Sequence, residues 1–310
     1  MRKANQQIFE LQRITCPPIK MRILIVSLLF FFSVSTAFAV EIPKLASGQG
    51  KFDFSFAGKT IAVWYFIPKQ TNSETPIVFA MHGVKRNADK YRNTWQPLAQ
   101  QYGFILVCPE FSEANFPGNN GYAMGGLSYG RTVLNEASSY NFIVPIFNEI
   151  KHRTENRSSD FYIYGHSAGS QFVHRFVYFV PHAPIKMAVA ANSGWWTMPN
   201  LKVDFPYGLR GSSLDEASLR IALQRPLVIL LGSKDNDPNH RELRKTKEAE
   251  AQGPHRLARG HKFFEEAQIS AKELNTHLAW KLGIVDGVAH QDSGMSKAAV
   301  KYFFTDKIEK

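Results

Sequence analysis

Phe161-Tyr162-Ile163-Tyr164-Gly165-His166-Ser167-Ala168-Gly169 decides the reading of this chain. Residues 161–164 form a short apolar and aromatic run, and residues 171–180 carry a helical pattern. Between them stands Gly-x-Ser-x-Gly in its required context, a strand before and a helix after. The spacing has a mechanical reason. The turn is so tight that the flanking positions must be small, and the serine at its apex presents Oγ to solvent. The helix behind it offers free backbone N–H groups and the positive end of a dipole.

Working outward, short apolar runs alternate with helix-like segments. Residues 51–56 alternate with period two, and residues 60–67 form a strand bounded by Gly58 and Pro68, so the pair reads as an antiparallel hairpin. Residues 77–81 are continuously apolar, as a strand buried on both faces requires. Further strands are expected at 104–108, 186–191, 227–231 and 278–285, and helices at 91–102, 141–152, 256–275 and 296–304. On the second of these helices Phe142, Ile143, Ile146, Phe147 and Ile150 share one face. The expected fold is α/β, one domain over residues 40–310, with a mostly parallel central sheet flanked by helices and an N-terminal antiparallel hairpin. Chemistry in such sheets gathers outside the carboxyl ends of the strands.

A serine hydroxyl needs a base to take its proton, and the base needs an acid to orient it. The strand at 227–231 runs into Gly232-Ser233-Lys234-Asp235-Asn236-Asp237-Pro238, and the strand at 278–285 leads to Gly287-Val288-Ala289-His290. The order Ser167, Asp235, His290 is the order that a Gly-x-Ser-x-Gly enzyme of this topology demands. Asp237 is the rival acid, although its place before Pro238 suits a turn. Two N–H donors should meet the developing oxyanion. Ala168, after the nucleophile, supplies one. Val84 in His82-Gly83-Val84-Lys85-Arg86 supplies the other, with Lys85 as the alternative. His82, at the end of an earlier strand, is read as a packing and hydrogen-bonding residue of that loop.

Together His82-Gly83, Gly165-His166-Ser167-Ala168-Gly169, Gly232-Ser233-Lys234-Asp235 and His290 resemble the α/β-hydrolase superfamily over about residue 52 to the C-terminus. Within it the chain is similar to the esterase branch that includes polyhydroxybutyrate depolymerases and feruloyl esterases. The resemblance implies hydrolysis of a small or polymeric carboxylic ester through an acyl-enzyme, with no cofactor. A serine peptidase of the same fold is the neighbouring alternative, because the same machinery cleaves amides. A non-catalytic binding protein on the hydrolase fold is the alternative from another class, and a missing triad member would have favoured it.

Pocket candidates are Trp195 and Trp196, adjacent beyond the strand at 186–191, and His166 beside the nucleophile. Either indole equally suits a core or loop anchor. The loop at 111–130, with Phe116, Tyr122, Met124 and Tyr129, suits a lid or cleft wall as well as an ordered loop whose aromatics pack downward.

The 310 residues carry a net charge of +11, two cysteines and 44% hydrophobic residues. Two cysteines exclude a disulfide scaffold and a four-Cys zinc site. No metal-ligand spacing and no glycine-rich phosphate loop are present. Lys20-Met21-Arg22, the apolar run 23–32 and Ala37-Phe38-Ala39 have the three parts of a secretory signal peptide. Residues 1–39 are therefore expected to be removed after Ala39, with translation starting at Met21, which gives a secreted or periplasmic protein with no stable membrane insertion. The 17 residues between Arg22 and Val40 fall short of the ~20 that a membrane anchor needs. Arg2, Lys3, Arg13, Lys20 and Arg22 against Glu10 leave +7 on the remaining chain, with Cys108 as its sole cysteine, read as a small buried hydrophobe. Lys85, Arg86, Lys90 and Arg92 read as a solvated positive face, and residues 241–259 as a mixed-charge surface. No nucleic-acid module accompanies them. Asn156-Arg157-Ser158 matches a glycosylation triplet, a pattern common by chance.

Overall fold

The computed structural model describes residues 43–128 and 133–304. The signal segment, its cleavage position and Tyr129 lie outside the described residues.

An eight-stranded sheet runs in the order β1-β2-β4-β3-β5-β6-β7-β8. Its strands are β1 (Gly48–Phe56), β2 (Lys59–Ile67), β3 (Ile77–Met81), β4 (Ile105–Pro109), β5 (Phe161–His166), β6 (Ile185–Ala191), β7 (Leu227–Gly232) and β8 (Lys281–Val285). β1 and β2 form the antiparallel hairpin, and β2 meets β4 antiparallel. The other pairs are parallel, so the sheet is the mostly parallel one that the alternation of elements predicts. Ala57 and Gly58 both take positive φ in the two-residue hairpin turn, the geometry whose twist matches the flanking strands.

Helices cover both faces. They are α1 (Ala88–Tyr102), α2 (Gly118–Gly121), α3 (Ile143–Thr154), α4 (Ala168–Phe179), α5 (Glu216–Leu223), α6 (Lys247–Glu250), α7 (Arg256–Glu273) and α8 (Asp292–Phe303). The strands show why the apolar runs are continuous. Phe79 and Met81 of β3 pack with Ile146, Phe172 and Phe263, while Val78 and Ala80 pack on the opposite face with Trp95, Met295 and Phe303. Cys108 is buried in that second layer.

Several surface readings are corrected by burial. Arg86 turns inward, donating to the carbonyls of Phe111 (2.6 Å), Phe116 (3.1 Å) and Gly118 (2.8 Å), and Arg92 is buried, so only Lys85 and Lys90 of that cluster face solvent. Arg256 and Arg259 are buried too, which ends the mixed-charge surface at the start of α7. Phe116, Tyr122 and Met124 pack downward into the core. Asn156 is buried and donates to the Thr75 carbonyl at 2.8 Å, so its side chain is not presented as a glycosylation acceptor.

Candidate active site

Ser167 sits between β5 and α4 with φ 58° and ψ −115°. Such a conformation in a residue with a Cβ costs on the order of 1–3 kcal/mol, and the surroundings must hold it. They do so by close approach. A Cβ on Gly165 would lie 2.1 Å from the Gly169 oxygen, and one on Gly169 would lie 2.3 Å from the Met81 oxygen. The Ser167 N–H donates to Ala191 O at 3.0 Å, which ties the turn to the end of β6. Small residues flank the serine because backbone occupies the space.

His290 Nε2 lies 3.1 Å from Ser167 Oγ, and its Nδ1 lies 2.8 Å from Asp235 Oδ2. The three residues come from the ends of β5, β7 and β8, as their chain order requires. Asp237 Oδ1 bonds elsewhere. The residue is exposed, and its Oδ1 accepts the Asn239 N–H at 2.8 Å in a turn.

Two further groups position these loops. Asn192, buried at the end of β6 with φ 49°, accepts from the Gly232 N–H at 2.8 Å and donates to Ala289 O at 3.3 Å. One amide thereby joins the loop of the acid to the loop of the base. The sequence reading passed over it; the available signal was a polar residue at a strand end, of a type that tolerates the left-handed region. Arg256, the first residue of α7, donates to Asp235 Oδ1 at 3.3 Å and to His240 Nδ1 at 3.2 Å. Nothing in its mixed-charge segment marks it, because the contact is made only by folding.

Ala168 opens α4, so its N–H has no intrahelical acceptor. Val84 stands exposed in the turn after β3. That turn is clamped. Gly83 O accepts from Arg86 N at 3.2 Å and from His82 Nδ1 at 3.0 Å, and Tyr122 Oη donates to His82 O at 2.7 Å. His82 Nε2 accepts the Phe111 N–H at 3.0 Å, so the ring is a neutral fastener between two loops. Burial, with a smaller contribution from Arg86, lowers its pKa to about 3.

The three pocket candidates are all buried. Trp196 is fully buried and stacks on Phe263 at 4.3 Å, its backbone clamped by Gln252. Trp195 is buried between the guanidinium groups of Arg175 (4.2 Å) and Arg244 (5.1 Å). Both indoles anchor the segment after β6 from within, packed against side chains of α4 and α7. His166 is buried with its ring 4.6 Å from that of His290, a neighbour of the base. Burial first, with smaller contributions from the neighbouring His290 and Arg256, holds it well below the ordinary imidazole range. Among the described residues no group of three or more His, Cys, Asp or Glu side chains is placed to hold a metal ion, and no helix is long and apolar enough to cross a membrane.

A serine hydrogen-bonded through histidine to a buried carboxylate, on the carboxyl edge of this sheet, defines the class: the chain belongs to the α/β-hydrolase superfamily, in the branch of polyhydroxybutyrate depolymerases and related esterases. It is 44% identical to poly(aspartic acid) hydrolase-1 from Sphingomonas sp. KT-1, with a TM-score of 0.81 over 83% of this chain and 98% of that one. It is 30% identical to a poly(3-hydroxybutyrate) depolymerase from Bordetella parapertussis, with a TM-score of 0.79 over 84% of this chain and 90% of that one. An acetyl xylan esterase from Aspergillus awamori shares the fold, with 15% identity and a TM-score of 0.54 over 83% of this chain and 99% of that one. No protein-family model and no curated protein matches the sequence. The protein is thus a hydrolase of the α/β fold related to polymer hydrolases and esterases.

Proposed function

We propose that the protein is an exported serine hydrolase that cleaves carboxylic esters, polymeric or small, through an acyl-enzyme, in the manner of a polyhydroxybutyrate depolymerase or feruloyl esterase. The observation that carries the reading is His290, held at one nitrogen by Asp235 and reaching Ser167 Oγ with the other. Ser167 attacks the ester carbonyl as His290 Nε2 takes its proton, and Asp235 keeps the imidazole in the tautomer that can accept it. The Val84 and Ala168 amides receive the oxyanion. His290 protonates the departing alcohol, and a water, activated by the same ring, releases the acid. The 30% identity to a polyester depolymerase supports the ester linkage.

A second reading has its own support. Poly(aspartic acid) is a polyamide bearing carboxylates, and the relative named for hydrolysing it is 44% identical. Lys85 and Lys234, exposed beside the oxyanion turn and the acid, together with the net charge of +7 left without residues 1–39, suit an anionic chain. Export rests on the signal-like residues 1–39, and N-terminal sequencing of the exported protein should begin at Val40.

The test is a substrate panel: p-nitrophenyl esters graded by acyl length, methyl ferulate, 3-hydroxybutyrate oligomers and poly(aspartic acid). The ester reading expects hydrolysis of at least one ester class that Ser167→Ala abolishes. Turnover confined to poly(aspartic acid) replaces it with the amide reading, and turnover that survives Ser167→Ala removes both.

A further inference from the structure

Asp235 is gripped from α7 by two independent contacts. Its backbone oxygen accepts the Leu257 N–H at 3.1 Å, in the first turn of the helix, and its Oδ1 accepts from Arg256 Nη1 at 3.3 Å. The carboxylate therefore has one oxygen on a cation and the other on His290. Both side chains are almost wholly buried, at 2% and 3% exposure, so the charge on Arg256 is little screened. Its other nitrogen, Nη2, lies 3.2 Å from His240 Nδ1, which also accepts the Glu242 N–H at 3.2 Å. The His240 ring packs edge-on against His290, with centroids 5.4 Å apart. One guanidinium thus fixes the acid on one side of the base and a second imidazole on another.

We infer that Arg256 is a positioning residue: it aims Asp235 at His290, and its charge sets how acidic the medium can become before His290 stops accepting the serine proton. The inference rests on the serine-hydrolase reading above. Asp235, His166 and His240 face His290, with Arg256 behind the acid. Asp235 favours its protonated form. Arg256, one carboxylate away, opposes that. His166 at 4.6 Å is held neutral by burial, and His240 is lowered by burial and by Arg256, so neither adds a full charge near neutral pH. Removing the cation leaves Asp235 uncompensated and makes His290 harder to deprotonate.

The experiment follows the rate of fluorophosphonate labelling of Ser167 from pH 4.5 to 9 in wild type, Arg256→Gln and Arg256→Lys, with circular dichroism to report folding. Glutamine keeps a donor for Asp235 and loses the charge. Its acid midpoint should rise by about 0.5–1 pH unit, the effect of one charge acting from beyond the Asp235 carboxylate. Lysine keeps the charge and loses the fork that reaches both partners. Its midpoint should stay within about 0.2 unit of wild type while the plateau rate falls about tenfold, as misplaced groups produce. A folded glutamine variant with the wild-type midpoint overturns the charge role, and a lysine variant with the wild-type plateau overturns the positioning role. Should the glutamine variant not fold, the midpoint of Arg256→Met reads the charge role in its place, and the lysine plateau still decides the positioning role. A wild type that never labels at Ser167 defeats the serine-hydrolase reading itself, an outcome distinct from either.

Discussion

Gly169→Ala perturbs the site without touching a reacting group. The added Cβ would sit 2.3 Å from Met81 O and 2.9 Å from His82 O, where ordinary contact begins at 3.4 Å. The start of α4 and the end of β3 must therefore separate by about 1 Å, since both obstacles are backbone. These two segments carry the proposed oxyanion donors, Ala168 immediately before Gly169 and Val84 two residues after His82. Overpacking of this kind costs about 1–3 kcal/mol of stability. A misplacement of about 1 Å at a reacting centre costs on the order of 10²-fold in rate. The expected result is a folded protein with kcat lowered about 100-fold and KM changed far less, because the lost contact forms only in the transition state. Steady-state kinetics on a soluble ester, with a thermal melt beside them, reads both effects. A folded variant with kcat within threefold of wild type would refute the argument that this close approach aligns the two donors.

Asn192→Ala should lose about 2–3 kcal/mol by denaturant titration and at least tenfold in kcat, since it orphans the Gly232 N–H and Ala289 O and places alanine at φ 49°. Asn192→Asp keeps the acceptor for Gly232 and should lose less of both. Ser167→Gly should melt above Ser167→Ala, by about 1 kcal/mol, because glycine alone occupies φ 58° and ψ −115° without strain; both should be inactive. Burial raises the Asp292 carboxyl from 3.8 to about 6, with the Tyr164 hydroxyl bond opposing. The native state thus holds that proton more tightly than the unfolded chain, and stability falls as pH rises from about 4 to 6. Asp292→Asn should accordingly gain about 1–2 kcal/mol at pH 8 and nothing at pH 3.5, as thermal melts at the two pH values will read. His82, His166 and His174 work in the other direction, being buried with depressed pKa values. Their stability contribution is whole above about pH 6.5 and drains away below it, so the urea midpoint of wild type should drop steadily from pH 7 to 4.5. Three imidazoles outweigh the one carboxyl.

The sheet was legible because its strands are short apolar runs bounded by turn residues. The run 77–81 coincides with β3, and 227–231 falls one residue short of β7. The parts missed are those in which local pattern is weak. Helix α5 is a single short segment whose start depends on Asp215 accepting the Ser218 N–H, and β8 begins at Lys281 because the preceding Trp280 turns inward to donate to Ala222 O. At the site, the proximity of Ser167, Asp235 and His290 was legible because each follows a strand in an order that the topology imposes. Asn192 and Arg256 were not, since their partners lie 40 and 21 residues away and no spacing rule connects them. The tryptophans stayed open for a related reason: aromatic side chains beyond a strand end serve a cleft or a core equally well by composition, and only their burial decides between the two.

The chain of hydrogen bonds from Ser167 through His290 to Asp235 carries the proposed chemistry. It is tested by labelling the purified protein with a fluorophosphonate and mapping the adduct by peptide mass, in wild type, Ser167→Ala, Asp235→Asn and Asp237→Asn. The expected result is a single adduct on Ser167, none in Ser167→Ala, a rate lowered about 10³–10⁴-fold in Asp235→Asn, and a rate near that of wild type in Asp237→Asn. An adduct on another residue, or a larger loss at Asp237 than at Asp235, would contradict it.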